Sequence, residues 1–154
     1  VIEHVADYPR PPRIAPDARR VRVVLGGVTI LETRSSVRVL ETFHPPTWYL
    51  PVVAFAPGSL VPGSGSSFCE WKGQARYWDL SAGGVVAEHA AWDYPEPTAG
   101  FAAIRDHVAL YAGRVDACFV DEERVTPQPG GFYGGWITRD VAGPFKGEPG
   151  TSGW

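Results

Sequence analysis

The chain has 154 residues, 44% of them hydrophobic and 20% charged, and carries a formal net charge of −3. That length can bury a core without metal or disulfide staples, and the composition excludes a disordered chain. The acidic balance speaks against a nucleic-acid partner, since the only basic run is Arg19-Arg20 with Arg22. No apolar run approaches the roughly 20 residues of a membrane span. Cys69 and Cys118 allow one disulfide at most and nothing demands it, so two reduced thiols in a cytoplasmic protein are the expectation. The first residues are charged and Pro-rich and do not read as a signal peptide. With 18 glycines and 15 prolines, the chain is punctuated into many short elements, which favours strands and turns.

Residues 1–20 hold Pro9, Pro11, Pro12 and Pro16 among arginines and read as an extended arm, either wrapped on the surface or making contacts in a homodimer. Residues 21–25 and 28–33 flank Gly26-Gly27 and form a hairpin with a two-residue turn. Residues 36–41 alternate and read as the next strand. Trp48 to Val53 is a short edge strand interrupted by Pro51. From Pro57 to Ser67 the Gly/Ser composition reads as a loop. It lacks the Lys and the following helix of a P-loop, so it is a linker before it is a phosphate cradle.

Residues 74–80 and 85–94, around Ala82-Gly83-Gly84, form a second hairpin. Strand parity puts Ala75, Tyr77 and Asp79 on one face, and groups His89 with Ala91 and Asp93 away from Trp92. Thr98 can then N-cap a helix over 99–112, where Phe101, Ile104, Val108 and Tyr111 make one apolar stripe. Residues 115–121, holding Cys118, are the last core strand. Beyond Pro127, glycines alternate with Phe132, Tyr133, Trp136, Phe145 and Trp154. Such a segment is expected to dock as an irregular strap whose rings plug apolar grooves. The organisation is thus an arm (1–20), a β-rich core with helix 99–112 (21–126) and a strap (127–154), within a mainly β, α+β fold.

The chemistry concentrates between Ser67 and Trp78. Cys69 is a candidate nucleophile if Lys72 or Arg76 lowers its thiol pKa, and otherwise a pocket-lining or packed thiol. Lys72, beside Gly73 and among aromatic residues, suits an anionic head on an apolar body, although a snorkelling surface lysine reads the same. The second hairpin returns Trp92, Asp93 and Tyr94 to the level of Gly73 to Arg76. A small-molecule pocket is therefore expected, with Cys69 and Lys72 as catalytic candidates, Tyr77, Trp92 and Tyr94 as lining, and Glu32, Arg34 and Tyr49 contributed from other strands. Cys69 and Cys118 lie far apart and no C-x-x-C occurs, so no metal site is expected. The sequence names no cofactor. An enzyme acting on a small anionic or aromatic metabolite is the leading reading, ahead of a non-catalytic binder or sensor and of an interaction module.

The run Phe68-Cys69-Glu70-Trp71-Lys72-Gly73-Gln74-Ala75-Arg76-Tyr77-Trp78 resembles the C-P/E-Y/W-K-G-x-A-x-Y/W signature of the family termed domain of unknown function 427. The resemblance extends through Gly27 to Thr33, Val39 to Thr42, Pro46 to Pro51, Ala91 to Pro97, Gly130 to Trp136 and Gly143 to Gly147. It implies a compact, mostly β domain similar to the β-tent of methionine sulfoxide reductase B: two antiparallel sheets meeting at an angle around a pocket. Many tent proteins hold zinc with paired C-x-x-C motifs, which are missing here, so the metal does not carry over. The family is also catalogued as nucleotidyltransferase-like, which implies nucleotidyl transfer as a further alternative. No paired metal-binding carboxylates behind a Gly-Ser turn support that alternative in the sequence.

Overall fold

The computed structural model describes residues 1–151; Trp154, one of the rings assigned to the strap, lies outside them. In chain order the first strands are β1 (Glu3–His4), β2 (Arg13–Asp17), β3 (Val21–Leu25), β4 (Val28–Thr33), β5 (Ser36–Leu40) and β6 (Thr47–Pro51). They are followed by β7 (Leu60–Cys69), β8 (Gly73–Ala82), β9 (Val85–Asp93), β10 (His107–Leu110) and β11 (Ala117–Val120). Four two-residue strands complete the set: β12 (Glu123–Arg124), β13 (Thr126–Pro127), β14 (Trp136–Ile137) and β15 (Val141–Ala142). A seven-stranded antiparallel sheet runs β2-β5-β6-β10-β9-β8-β7, and a four-stranded antiparallel sheet runs β12-β11-β3-β4.

Both expected hairpins form, and each turns on two glycines with positive φ, Gly26-Gly27 and Gly83-Gly84. The two tips touch. A Cβ on Gly83 would lie 2.1 Å from the Gly26 carbonyl oxygen, so side chains are barred where the two sheets meet.

The large sheet is apolar on both faces, because successive side chains of its central strands point to opposite sides. Trp48 and Leu50 of β6 and Val108 and Leu110 of β10 pack against Val21, Val23, Ile30 and Cys118 of the smaller sheet. Tyr49 and Ala109, between them in sequence, face the other way with Val37, Val39, Ala75, Trp92 and Tyr94. A third, smaller cluster joins Val5, Tyr8, Leu40 and Val141 at the β2 end. There Arg19 bridges Asp17 and Asp140 at 2.9 and 3.0 Å.

Three expectations are corrected. The strand through Trp48 is not at an edge, because β6 is paired on both sides, with β5 and with β10. Residues 99–112 are not an α-helix. They form a 3₁₀ segment (Ala99–Ile104), the strand β10 and a second 3₁₀ turn (Ala112–Arg114). Asp106 has φ +60°, which stops any helix, and Val108, Ala109 and Leu110 are fully buried between β6 and β9. A strand buried on both faces shows no alternation, and the apolar spacing then imitates a helical stripe. The Gly/Ser stretch expected as a loop is largely the ten-residue edge strand β7, paired only with β8 and shifted in register between Pro62 and Ser66. Its edge position leaves Pro62 free of the need for an N–H. Among the described residues no helix is long and apolar enough to cross a membrane. Cys69 and Cys118 are both free thiols.

Candidate functional site

The turn after β7 begins with the pair Cys69 and Gly73, which leaves Glu70, Trp71 and Lys72 to make the reversal. Gly73 adopts φ +108°, and a Cβ there would come within 3.3 Å of the Glu96 carbonyl. Thr98 clamps the turn: its N–H donates to the Lys72 carbonyl at 3.1 Å and its hydroxyl to the Trp71 carbonyl. So held, Lys72 carries its ammonium over two rings, 5.7 Å from the centre of Tyr94 and 5.9 Å from Phe101.

Tyr77 and Trp92 are direct cross-strand partners on β8 and β9. Trp92 meets Tyr111 at 4.7 Å and Tyr49 meets Tyr94 at 6.5 Å between ring centres. The Tyr77 hydroxyl shares a 2.7 Å hydrogen bond with Ser67. Burial pushes the phenols of Tyr49 and Tyr94 well above their ordinary range, so both stay neutral. Burial likewise raises the Cys118 thiol in the core, which leaves it protonated.

His89 joins this face against its parity. Three residues, Glu88 to Ala90, stand opposite Asp79 alone, a bulge in which His89 takes φ +54° and donates its N–H to the Asp79 carboxylate at 2.8 Å. Its ring then stacks on Tyr77 at 3.9 Å.

The strap closes the cavity from above. Gln128 is buried and its orientation is determinate. Its Oε1 accepts the Gly135 N–H at 3.0 Å, so its Nε2 faces the Lys146 carbonyl at 2.8 Å and His44 Nδ1 at 3.1 Å. Both amide protons are thereby used, and Nδ1 of His44 must accept. His44 therefore carries its proton on Nε2, 3.9 Å from the Glu41 carboxylate and too far for a direct hydrogen bond. Burial, with Lys146, Lys72 and Arg10 nearby, lowers the His44 pKa against the opposing pull of Glu41. Gly134 rests on the Trp92 indole so closely that a Cβ would fall 2.1 Å from its Cη2.

These groups surround a cavity of about 620 Å³. Six residues singled out from sequence line it: Cys69, Lys72, Tyr49, Tyr77, Trp92 and Tyr94. Glu32 and Arg34 do not. Both are exposed at the end of β4 in the smaller sheet, where Glu32 pairs with Arg20. His44, His89, Arg114, Gln128 and Lys146, which were not assigned to the pocket from sequence, also line it. His89 was hidden by the bulge and Arg114 by the expected helix; His44 and Gln128 meet only through the strap. A smaller neighbouring cavity of about 480 Å³ lies against Gly131, Tyr133 and Gly134 and lacks Cys69 and Lys72. Among the described residues no group of three His, Cys, Asp or Glu side chains is placed to hold a metal ion.

Fold and cavity together define a mostly antiparallel β protein with an aromatic, cation-bearing pocket on one face of its larger sheet. Residues 13–121 match the family described as domain of unknown function (DUF427), and the chain belongs to that family. No curated protein matches the chain.

Proposed function

We propose that the chain is an enzyme that takes a small anionic molecule with a planar, apolar body into this cavity. The observation that carries the reading is Lys72. Its ammonium lies over Tyr94 and Phe101 at the cavity wall, and among the described residues no carboxylate stands within 4 Å of it. A cation left without an internal partner beside stacked rings suits an external anion attached to a flat body. In this reading Lys72 pairs with the anion, and Trp92, Tyr94 and Tyr77 flank the body.

Catalysis is favoured over passive binding by the polar groups around the same space. Cys69 faces one cavity with the neutral His44 and the neutral phenols of Tyr49 and Tyr94, and the last three are perturbed groups gathered in a cleft, the pattern of proton-handling sites. Glu41 is the sole carboxylate lining it among the described residues, so nucleotidyl transfer through a metal-bound carboxylate pair gains no support.

Native mass spectrometry of freshly isolated protein should detect a retained anion and identify it. Cys69→Ala then separates the classes. Turnover lost with binding retained supports an enzyme with a nucleophilic thiol. Unchanged binding with no turnover in either protein makes the chain a binder, and a protein that retains and binds no anion contradicts the reading.

A further inference from the structure

Lys72 and Arg114 both line the cavity, one over Tyr94 and the other over Tyr111. The Arg114 guanidinium lies 4.1 Å from the Tyr111 ring centre, and one of its amino groups donates to the His89 carbonyl. The His89 bulge releases that carbonyl: where β9 departs from the register of β8, the backbone at His89 is free to meet a side chain. A stacked ring on one side and an anchoring carbonyl on the other hold the planar group in place. Its remaining N–H donors have no carboxylate partner among the described residues, and it is the one arginine among the described residues that line the cavity. Tyr77, Tyr111 and the stacked His89 ring line the same cavity.

Sheet register gives the backbone interval beneath the rings that carry the two cations. Lys72 lies over Tyr94, at the end of β9. Arg114 lies over Tyr111, whose N–H donates to the Ala90 carbonyl at 2.9 Å, level with a point four residues back along the same strand. Four residues of strand span roughly 13 Å, and Trp92 stands midway. A planar bicyclic body over Trp92, with hydrogen-bond reach at each end, fills that interval.

We infer that Arg114 forms a second anion site in this cavity, and that the ligand class is an elongated planar dianion with one acidic group at each end. The inference rests on the proposed reading of the cavity and adds the second charge and the length. Lys72 takes one acidic group, Arg114 takes the other by paired N–H donors, and the body lies against Trp92 and Tyr77.

Isothermal titration of the full chain with 2-naphthoate and with naphthalene-2,6-dicarboxylate tests it. The dicarboxylate should bind about tenfold more tightly, the gain expected of one added charge-assisted contact. Arg114→Ala should erase that advantage while leaving 2-naphthoate affinity within about twofold, as only the second anion depends on it. Arg114→Lys should restore part of it, and thermal melts of both variants should match the parent because the side chain is exposed. If 2-naphthoate binds and the dicarboxylate gains nothing, or if Arg114→Ala weakens both ligands alike, the second site is wrong and the one-anion reading stands. If neither ligand binds the parent protein, both are wrong.

Discussion

The two faces of the seven-stranded sheet use the same residue types to different ends. On one face Trp48 and Trp136 stack at 5.8 Å, sealed beneath the smaller sheet, and the Trp136 indole N–H donates to the Leu110 carbonyl at 3.2 Å. On the other face Trp92 and Tyr94 are almost as buried, at 9% and 7% exposure, yet their rings border open space. Burial of large rings does not tell a core from a site. What differs is the cover and the polar groups. The core face is closed by a sheet and its indole finds a backbone partner, whereas the cavity face is roofed by a glycine-rich strap and carries Lys72 and Arg114, neither of which has a carboxylate partner among the described residues.

That contrast can be broken or sharpened by substitution. Trp136→Ala should have the largest effect on stability, about 3–5 kcal/mol, because it opens a void in a sealed core. Chemical denaturation measures it, and a small loss would mean that the core face is no drier than the cavity face. Gly134→Ala comes next, at about 1–3 kcal/mol, since the new methyl must displace the strap or the Trp92 ring. Near-ultraviolet circular dichroism should change with it, and an unchanged spectrum and midpoint would show that the strap does not rest on Trp92. Lys72→Ala should weaken 2-naphthoate binding roughly tenfold while leaving the denaturation midpoint unchanged. Loss of stability with unchanged binding would assign Lys72 to packing.

The smallest effect is one of pH. The folded pKa of His44 is lowered, chiefly by burial, from an ordinary value of 6.5. Below that value the unfolded chain binds the proton more readily than the folded one, so stability rises with pH. The contribution is fully present above about pH 6.5 and is lost as pH falls through the folded pKa. Nitrogen-15 spectra of the His44 ring should report an Nε2–H tautomer down to that lower pH. Titration at or above the ordinary value would refute the role given to Gln128.

Much of this was legible in the sequence. Both hairpins carry their Gly-Gly turns openly, and strand spacing brings Tyr94 back towards Lys72, although Trp92 stands opposite Tyr77 and not level with Gln74 to Arg76. Where the sequence misled, long-range pairing had overridden a local pattern. The stripe from Phe101 to Tyr111 fits a helix, but the chain between His107 and Leu110 is claimed by β6 on one side and β9 on the other. His89 has the parity of the core face, yet a bulge opposite Asp79 turns it onto Tyr77. Nor could spacing predict that Gln128, 84 positions from His44, would set its tautomer. Glu32 lies on the smaller sheet and Arg34 in the bend that follows it, and no local feature of the sequence says to which sheet β4 belongs.

The central claim, that the face bearing Trp92 is a site and the face bearing Trp136 is a core, is tested most directly by a two-dimensional nitrogen–proton spectrum during titration with 2-naphthoate. The account predicts progressive shifts of the Trp92 indole N–H and the Gly134 amide, with the Trp136 indole unmoved. A titration in which Trp92 stays still while Trp136 or the amides of the four-stranded sheet move would contradict it.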